Sequence, residues 1–577
     1  MRALSQAYGD FRVSWPAGVV ARPVALAALG LASFLFLAVT MNRTIGIFDE
    51  GLILEGADRV ANGAIPHRDF FTMYGPGQFY IVAALYKAFG ASVLVERAWD
   101  TTVRAIAVVL AYVVVRQTAP RSLAILAATA CLIWLASFQG YGYPVFPCLD
   151  AALAGVAVLG PLFQGADSHW RLIGAGICAG AATLFRYDVG VAAFGAECLV
   201  LVCCIASQGH SLRRTLLTAA RCIGWFAVGF AAIVVPLACG LALAGAIPGL
   251  IFDTITYPAR FYVEMRAKPF PTSGFGTRMP LFAVYLPPLL CLAAVPSLIV
   301  LLRHSWRNPW RPRYDRPRPV TKPIAPWALA TLVLLTLVFL AKGFVRVDLI
   351  QMAIAIVAAV IVAAVLIQPM HGRGRIGQAA AIVAATSVYF FTLLMLVADI
   401  YVATQNLAWA DRSAAWTLSS NAVPSASDSC RVPPDLAPVV CFPIDADRVA
   451  VIRYVQRHTA PDDPVFIGLY HHDKILFNDV ALYFEMGRKP ATKWYEFDPG
   501  IQTTAQIQRA MIVELARVQP KVIVLEPNPA DVIREPNGSA ISSGVTLLDD
   551  YIRQAYRPVK KIGTYLILRP RRHSKPR

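Results

Sequence analysis

Apolar runs long enough to cross a bilayer alternate with short polar turns over the first two thirds of the chain. A hydrocarbon core about 30 Å thick needs roughly 20 apolar residues per helix. Runs of that order occupy about 22–41, 99–117, 122–140, 148–165, 171–187, 188–207, 221–243, 279–302, 325–341, 346–367 and 376–403. The pattern predicts a polytopic α-helical membrane protein of eleven spans. A single helix over 171–207 would put Arg186 and Asp188 of "FRYDVG" at the bilayer centre, at about 2.5–3.5 kcal/mol each, so two helices meeting at that stretch are expected. The first run is too long for a signal peptide and has no small-residue cleavage site, so it reads as a retained anchor. Residues 1–403 therefore form a transmembrane domain.

Beyond residue 403 the pattern changes. "PVFIGLY" (464–470), "KVIVLEP" (521–527) and "TYLILRP" (564–570) read as strands, and "DADRVAVIRYVQRH", "TTAQIQRAMIVELARVQ" and "TLLDDYIRQAY" as helices. This alternation predicts an α/β domain over 404–577. No Gly-rich phosphate loop follows any of its strands, which points to recognition or structure rather than nucleotide chemistry.

Composition agrees with lipid as the main solvent: of 577 residues, 57% are hydrophobic and 15% charged. The net charge of +18 does not mark a nucleic-acid binder, because the basic residues lie in alternate short turns and the tail without a groove of interleaved aromatics. Those turns carry Arg116 and Arg121, then His169 and Arg171, then Arg213, Arg214 and Arg221, then "RHSWRNPWRPRYDRPRPVTK", then "HGRGR". Basic turns stay in the cytoplasm. The N-terminus is therefore expected inside, and the acid-bearing turns and the α/β domain outside. Most cysteines fall in apolar runs as small hydrophobes. Cys430 and Cys441 lie instead in the polar part, where an oxidising compartment favours a disulfide between them.

The first outer loop, 42–98, carries "GIFDEGLILEGADRVANGAIPHRDFFTMYGPGQFY". Asp49 and Glu50 sit at the water–lipid boundary. His67, Arg68 and Asp69 cluster after a short helix expected on the membrane surface. Gly75-Pro76-Gly77 then makes a turn into a second helix ending at Gly90. Other outer turns supply Arg97, Asp100 and Arg104; Arg186, Tyr187 and Asp188; Asp253, Tyr257, Arg260, Tyr262, Glu264, Arg266 and Lys268; and Lys342, Arg346 and Asp348. Cations beside carboxylates at this level suit a phosphate whose tail stays in the bilayer. A carboxylate there can deprotonate an incoming hydroxyl, and nearby anionic oxygens stabilise an oxocarbenium-like sugar carbon. Blander roles also fit: Asp49 suits a helix start, and Arg68 and Asp69 can simply pair with each other.

"FDEG…ANGAIPHRDFFTMYGPGQFY" resembles the first outer loop of the glycosyltransferase C superfamily, multi-span enzymes that use polyprenyl-phosphate sugars. The likeness is greatest to the bacterial lipid A galacturonosyl- and aminoarabinosyltransferases, with the protein O-mannosyltransferases more distant. It implies a bacterial inner-membrane enzyme that moves a sugar from a polyprenyl-phosphate donor to a hydroxyl of a glycan, glycolipid or protein on the outer face. Asp49 would be the base, with Glu50 sharing that role. Arg68, Arg186, Lys342 and Arg346 would hold the donor phosphate. His67, Asp69, Tyr74, Asp188, Tyr257, Arg260 and Asp348 would meet the substrate. Two departures are visible: Gln351 stands where relatives often have a His after the Arg-x-Asp turn, and "GPG" stands where mannosyltransferase-like members show Lys-Pro-Pro. No cofactor is required, and no metal ligand set is evident, although paired carboxylates beside a phosphate suit a divalent cation. The rival reading is a transporter or flippase of an anionic lipid or solute. Internal repeats would favour it, and none is visible.

Overall fold

The computed structural model describes residues 21–164, 168–273, 278–307, 326–368, 374–418, 434–439 and 441–571. Every one of the predicted apolar runs coincides with a helix. In chain order the helices are α1 (Ala21–Val39), α2 (Asp49–Ala61), α3 (Gly77–Phe89), α4 (Val93–Thr118), α5 (Arg121–Ser137), α6 (Val145–Leu159), α7 (His169–Phe185) and α8 (Tyr187–Ala206). There follow α9 (Leu212–Leu243), α10 (Ile247–Ile251), α11 (Val263–Arg266), α12 (Leu286–Arg307), α13 (Pro326–Phe344), α14 (Ala353–Leu366) and α15 (Gly374–Leu418). Six described helices are long and apolar enough to cross a membrane, and four shorter apolar ones accompany them. The protein is a multi-pass helical membrane protein.

Residue type decides where each helix sits. All residues of α14 are apolar and buried, and a helix apolar all round belongs at the centre of a bundle. Helix α9 instead exposes Leu216, Leu217, Val228, Val235 and Leu243, the surface that a lipid-facing wall needs. The expected break between α7 and α8 falls at Arg186, whose backbone is extended (φ −137°, ψ 94°) and ends one helix while starting the next.

The first loop departs from expectation. Helix α2 does not lie free on a membrane surface. It is buried, with Leu52, Ile53, Leu54 and Ala57 at 1% exposure or less, beneath the C-terminal part of the chain. The backbone N–H groups of Val480 and Ala481 donate to the Ile47 carbonyl at 2.8 and 3.0 Å. Gly51 permits this approach, because a Cβ there would stand 2.4 Å from the Ala481 nitrogen. Gly75 has a similar reason: its Cβ would meet the Leu184 carbonyl oxygen at 2.2 Å. The "YGPG" turn is thus a close backbone contact with the end of α7, where Gly75 donates to the Phe185 carbonyl at 3.2 Å.

The C-terminal part holds α16 (Ala446–His458), α17 (Ala481–Met486), α18 (Ala505–Val518) and α19 (Leu547–Ala555) around a four-stranded sheet. Its strands β1 (Phe466–Leu469), β2 (Ile523–Glu526), β3 (Tyr556–Ile562) and β4 (Tyr565–Pro570) run in the order β1-β2-β4-β3. The first pair is parallel, with Phe466 opposite Ile523, and the other pairs are antiparallel. Strand β3 was not anticipated. "YRPVKKI" is an edge strand with Pro558 and two lysines, buried only at its ends, so it lacks the apolar alternation that marks a strand. Cys441 is disulfide-bonded; Cys430 lies outside the described residues, as do most of the basic loop after α12 and the end of the tail.

Candidate active site

Asp49 is the first residue of α2, where the positive end of the helix favours an acid. Its Oδ1 accepts a 2.8 Å hydrogen bond from the Tyr74 hydroxyl. Burial pushes the Asp49 carboxyl above its ordinary range, and the Tyr74 bond opposes part of that rise. The Tyr74 ring stands 5.8 Å from that of Tyr143. Tyr143 Oη accepts from Lys342 Nζ at 2.7 Å and donates to Gln351 Oε1 at 2.8 Å. Lys342 also donates to Gln351 Oε1 at 2.7 Å. The path from the carboxylate to the lysine at the end of α13 is thus hydrogen-bonded at both ends and is bridged between them by the edge-to-face contact of the two tyrosine rings.

The other cations gather around this path. Arg186 donates to both oxygens of Asp188 at 3.0 and 2.6 Å. Arg346 makes two 2.6 Å bonds to Glu535 and stands 3.5 Å from Asp348. Arg266 pairs with Asp498, both buried. Among the described residues, Lys342 alone of this set has no carboxylate at ion-pair distance.

Two cavities adjoin here. One, of about 360 Å³, is lined by Asp49, Tyr74, Tyr143, Arg266 and Glu496 among others. The second, of about 660 Å³, lies between α8 and α13, with apolar walls that include Leu199, Leu334, Leu337 and Val338 and with Arg186, Asp188 and Lys342 along it. Met73, Tyr262, Arg346 and Gln351 line both. The site is assembled from the segments that follow α1, α5, α7, α9 and α13 together with the C-terminal part, so alternate connections of the bundle converge on one end.

Asp49, Tyr74, Arg186, Asp188, Lys342 and Arg346 thus come together, with Asp348 beside Arg346. The remaining expected residues do not. Glu50 borders the first cavity, but its oxygens are taken by buried Arg97 at 2.5 and 2.8 Å and by the Gly46 N–H at 2.6 Å. That ties Glu50 to holding the loop rather than to sharing a proton. His67 is fully buried with Nδ1 2.9 Å from Asp253. Arg68 and Asp69 pair with each other at 2.7 Å on the surface, the blander of their two readings. Tyr257 is buried and donates to the Pro499 carbonyl at 3.2 Å. Arg260 is exposed. These residues are neighbours in sequence of the ones that converge, but helical rotation and the fold of the loop point them elsewhere.

Sequence reasoning missed Tyr143 and Glu496, named Arg266 without assigning it a role, and noted Gln351 only as a departure. Nothing local in "KWYEFDPG" marks Glu496; only the tertiary contact brings it in. Among the described residues no group of three or more His, Cys, Asp and Glu is placed to hold a metal ion, and the adjacent pair Asp49 and Glu50 have separate partners.

The bundle of apolar helices, the buried first loop and the C-terminal sheet form an overall fold that is found among solved structures. Among solved structures the chain is similar to ArnT from Cupriavidus metallidurans bound to undecaprenyl phosphate, with a TM-score of 0.53 and 14% identity over 97% of this chain and 100% of that one. The apo state of ArnT gives 0.51, at 14% identity over 96% and 98%. No family model matches the chain, and no curated protein does by sequence.

Proposed function

We propose that this protein is a membrane glycosyltransferase that moves a sugar from a polyprenyl-phosphate donor to an acceptor hydroxyl at the outer face of a bacterial inner membrane. In this reading all eleven spans expected from the sequence cross, and the C-terminal sheet stands outside. The observation that carries it is the junction of the two cavities. An apolar groove between α8 and α13 leads to Arg186, Lys342 and Arg346, and from there into the polar cavity that holds Asp49. A lipid tail, its phosphate and its sugar fit that sequence of surfaces in that order. The solved ArnT bound to undecaprenyl phosphate supports the same class of ligand.

Lys342, without an acid of its own, meets the phosphate first. Arg186 and Arg346 add charge-assisted hydrogen bonds once the phosphate competes for them with Asp188 and Glu535. Asp49 takes the acceptor's proton as the acceptor oxygen bonds to the anomeric carbon. The bond from that carbon to the phosphate oxygen breaks, and the electron pair leaves on the phosphate held by the cations. The acceptor is a hydroxyl of a cell-envelope glycan, glycolipid or protein.

The test is reconstitution in liposomes with polyprenyl-phosphate sugars and envelope acceptors. Release of polyprenyl phosphate together with a glycosylated acceptor is the expected result. Movement of a solute or lipid with every sugar–phosphate bond intact would instead identify a transporter.

Two further results are expected. Gly195 on α8 lines the groove, and a Cβ there meets nothing within 4 Å. Gly195→Trp should fold, fill the groove and raise KM for a long-chain donor about tenfold, since each buried methylene is worth about 0.8 kcal/mol. A donor of two isoprene units should be affected far less; equal effects on both would count against the groove. Tyr74→Phe removes the hydrogen bond that favours ionised Asp49. The ascending limb of the kcat/KM profile should therefore move to higher pH, with most of the lost activity recovered on the alkaline side. A limb that stays put would separate Asp49 from the rate.

A further inference from the structure

The cations at the junction of the two cavities have partners inside the protein. Arg186, Arg266 and Arg346 face carboxylates. Lys342 directs its N–H groups at the Tyr143 hydroxyl and Gln351 Oε1, both at 2.7 Å, and at the Gln351 carbonyl at 3.2 Å. Gln351 Oε1 also accepts from Tyr143 at 2.8 Å. The other end of that amide is different. Among the described residues no acceptor lies within hydrogen-bond distance of Gln351 Nε2, and the atom is not closed off from solvent.

The carboxamide cannot be turned round. An ammonium only donates, so the atom 2.7 Å from Lys342 Nζ must be the oxygen, and the NH₂ group takes the remaining direction. The backbone is held as firmly, because the Gln351 N–H donates to Asp348 Oδ1 at 2.9 Å. Gly343 lets this turn lie against α13, since a Cβ there would stand 3.1 Å from the Gln351 carbonyl oxygen. Gln351 lines both cavities. A fixed donor, open where the apolar groove meets the polar cavity and next to Lys342, suits an anionic oxygen. Accepting from a cation at Oε1 polarises the amide and strengthens the free donor.

We propose that Gln351 is a direct ligand of the donor phosphate through Nε2, with Lys342 and Tyr143 aiming the amide at it. The proposal rests on the transferase reading above and adds a neutral donor to the three cations named there. A phosphate joined to a lipid and a sugar keeps two unesterified oxygens. Lys342 reaches one by giving up its 3.2 Å bond to the Gln351 carbonyl. Gln351 donates to the other without giving up any contact.

Binding is measured directly, so that failure here and failure of the transferase reading are told apart. Wild-type protein in lipid nanodiscs is titrated with polyprenyl phosphate and with the corresponding polyprenol, which lacks the phosphate. If wild type neither prefers the phosphate nor releases it in the transfer assay, the transferase reading falls and this proposal with it. Otherwise Gln351→Met, close in length and without the amide, should weaken polyprenyl phosphate about tenfold or more, the worth of a hydrogen bond to a charged group, and leave polyprenol within about twofold. The same substitution is then made in Lys342→Met, where Tyr143 still holds the amide oxygen. Most of the loss should persist there. A loss that vanishes once Lys342 is gone would make Gln351 only a support for the lysine, and equal losses for phosphate and alcohol would make it structural; either result overturns the proposal. Thermal melting checks each variant. Should Gln351→Met misfold, Gln351→Glu keeps an oxygen for Lys342 and Tyr143 and is judged by the same selective loss of the phosphate.

Discussion

Asp49→Asn should lower kcat/KM for sugar transfer about 10²–10⁴-fold, the range that a positioned general base supplies, without lowering thermal stability. Asn keeps an oxygen that accepts from Tyr74 and removes only the ability to take a proton. The stability half of the prediction follows from the direction of the Asp49 shift. Burial raises this carboxyl above its ordinary range, so the folded protein binds the proton more tightly than the unfolded chain does. That preference stabilises the fold while the group is protonated, and is lost as pH rises from the unfolded value through the raised one. Asn behaves like the protonated form at every pH. The variant should therefore melt higher than wild type at neutral pH, and the difference should shrink as pH falls into the carboxylate range. Turnover is read as polyprenyl phosphate released, and melting in detergent is followed across pH. Normal turnover in a folded Asp49→Asn protein would remove the base assignment.

The large features of this fold were legible because they depend on long stretches of chain. An apolar run has few alternatives to a helix in lipid. Alternate basic turns sorted the loops into two sets, and the acid-bearing set is the one that converges on the cavities. The split at Arg186 was legible for the same reason, as the cost of a mid-span charge. What was not legible is convergence over distance. Arg68 and Asp69 looked like site residues because charge is dense there, yet adjacent opposite charges on a surface turn satisfy each other. Glu50 looked like the partner of Asp49 because they are neighbours, but successive residues on a helix point about 100° apart, and its true partner, Arg97, lies on another helix. The periodicity of α2 announced an apolar face without saying that the C-terminal chain would cover it. Glu496 was out of reach for the same reason, since only that covering brings it to the cavity.

Glu50 and Arg97 give the sharpest separation between a residue that reacts and one that holds the site. Both are almost fully buried, at 2% and 0% side-chain exposure. Arg97 also donates to the carbonyls of Asn42 and Thr44 at 2.5 and 2.9 Å and lies 3.5 Å from the centre of the Tyr141 ring. It therefore fastens the segment leaving α1 to the start of α2, where Asp49 sits. Glu50→Ala strands the guanidinium with only those carbonyls and the ring, and Arg97→Ala strands the carboxylate. Each should cost about 3–5 kcal/mol, the usual penalty for breaking a buried pair from one side. Replacing both, as Glu50→Leu with Arg97→Met, should recover most of the loss, because neither charge is then left buried alone. Chemical unfolding in detergent measures the cycle, and transfer assays on the folded fraction measure the chemistry. The double variant should retain turnover within about tenfold of wild type if Asp49 keeps its position. Were Glu50→Ala to unfold like wild type while losing turnover as Asp49→Asn does, Glu50 would belong to the reaction after all, and the fastening role assigned from its contacts would be wrong.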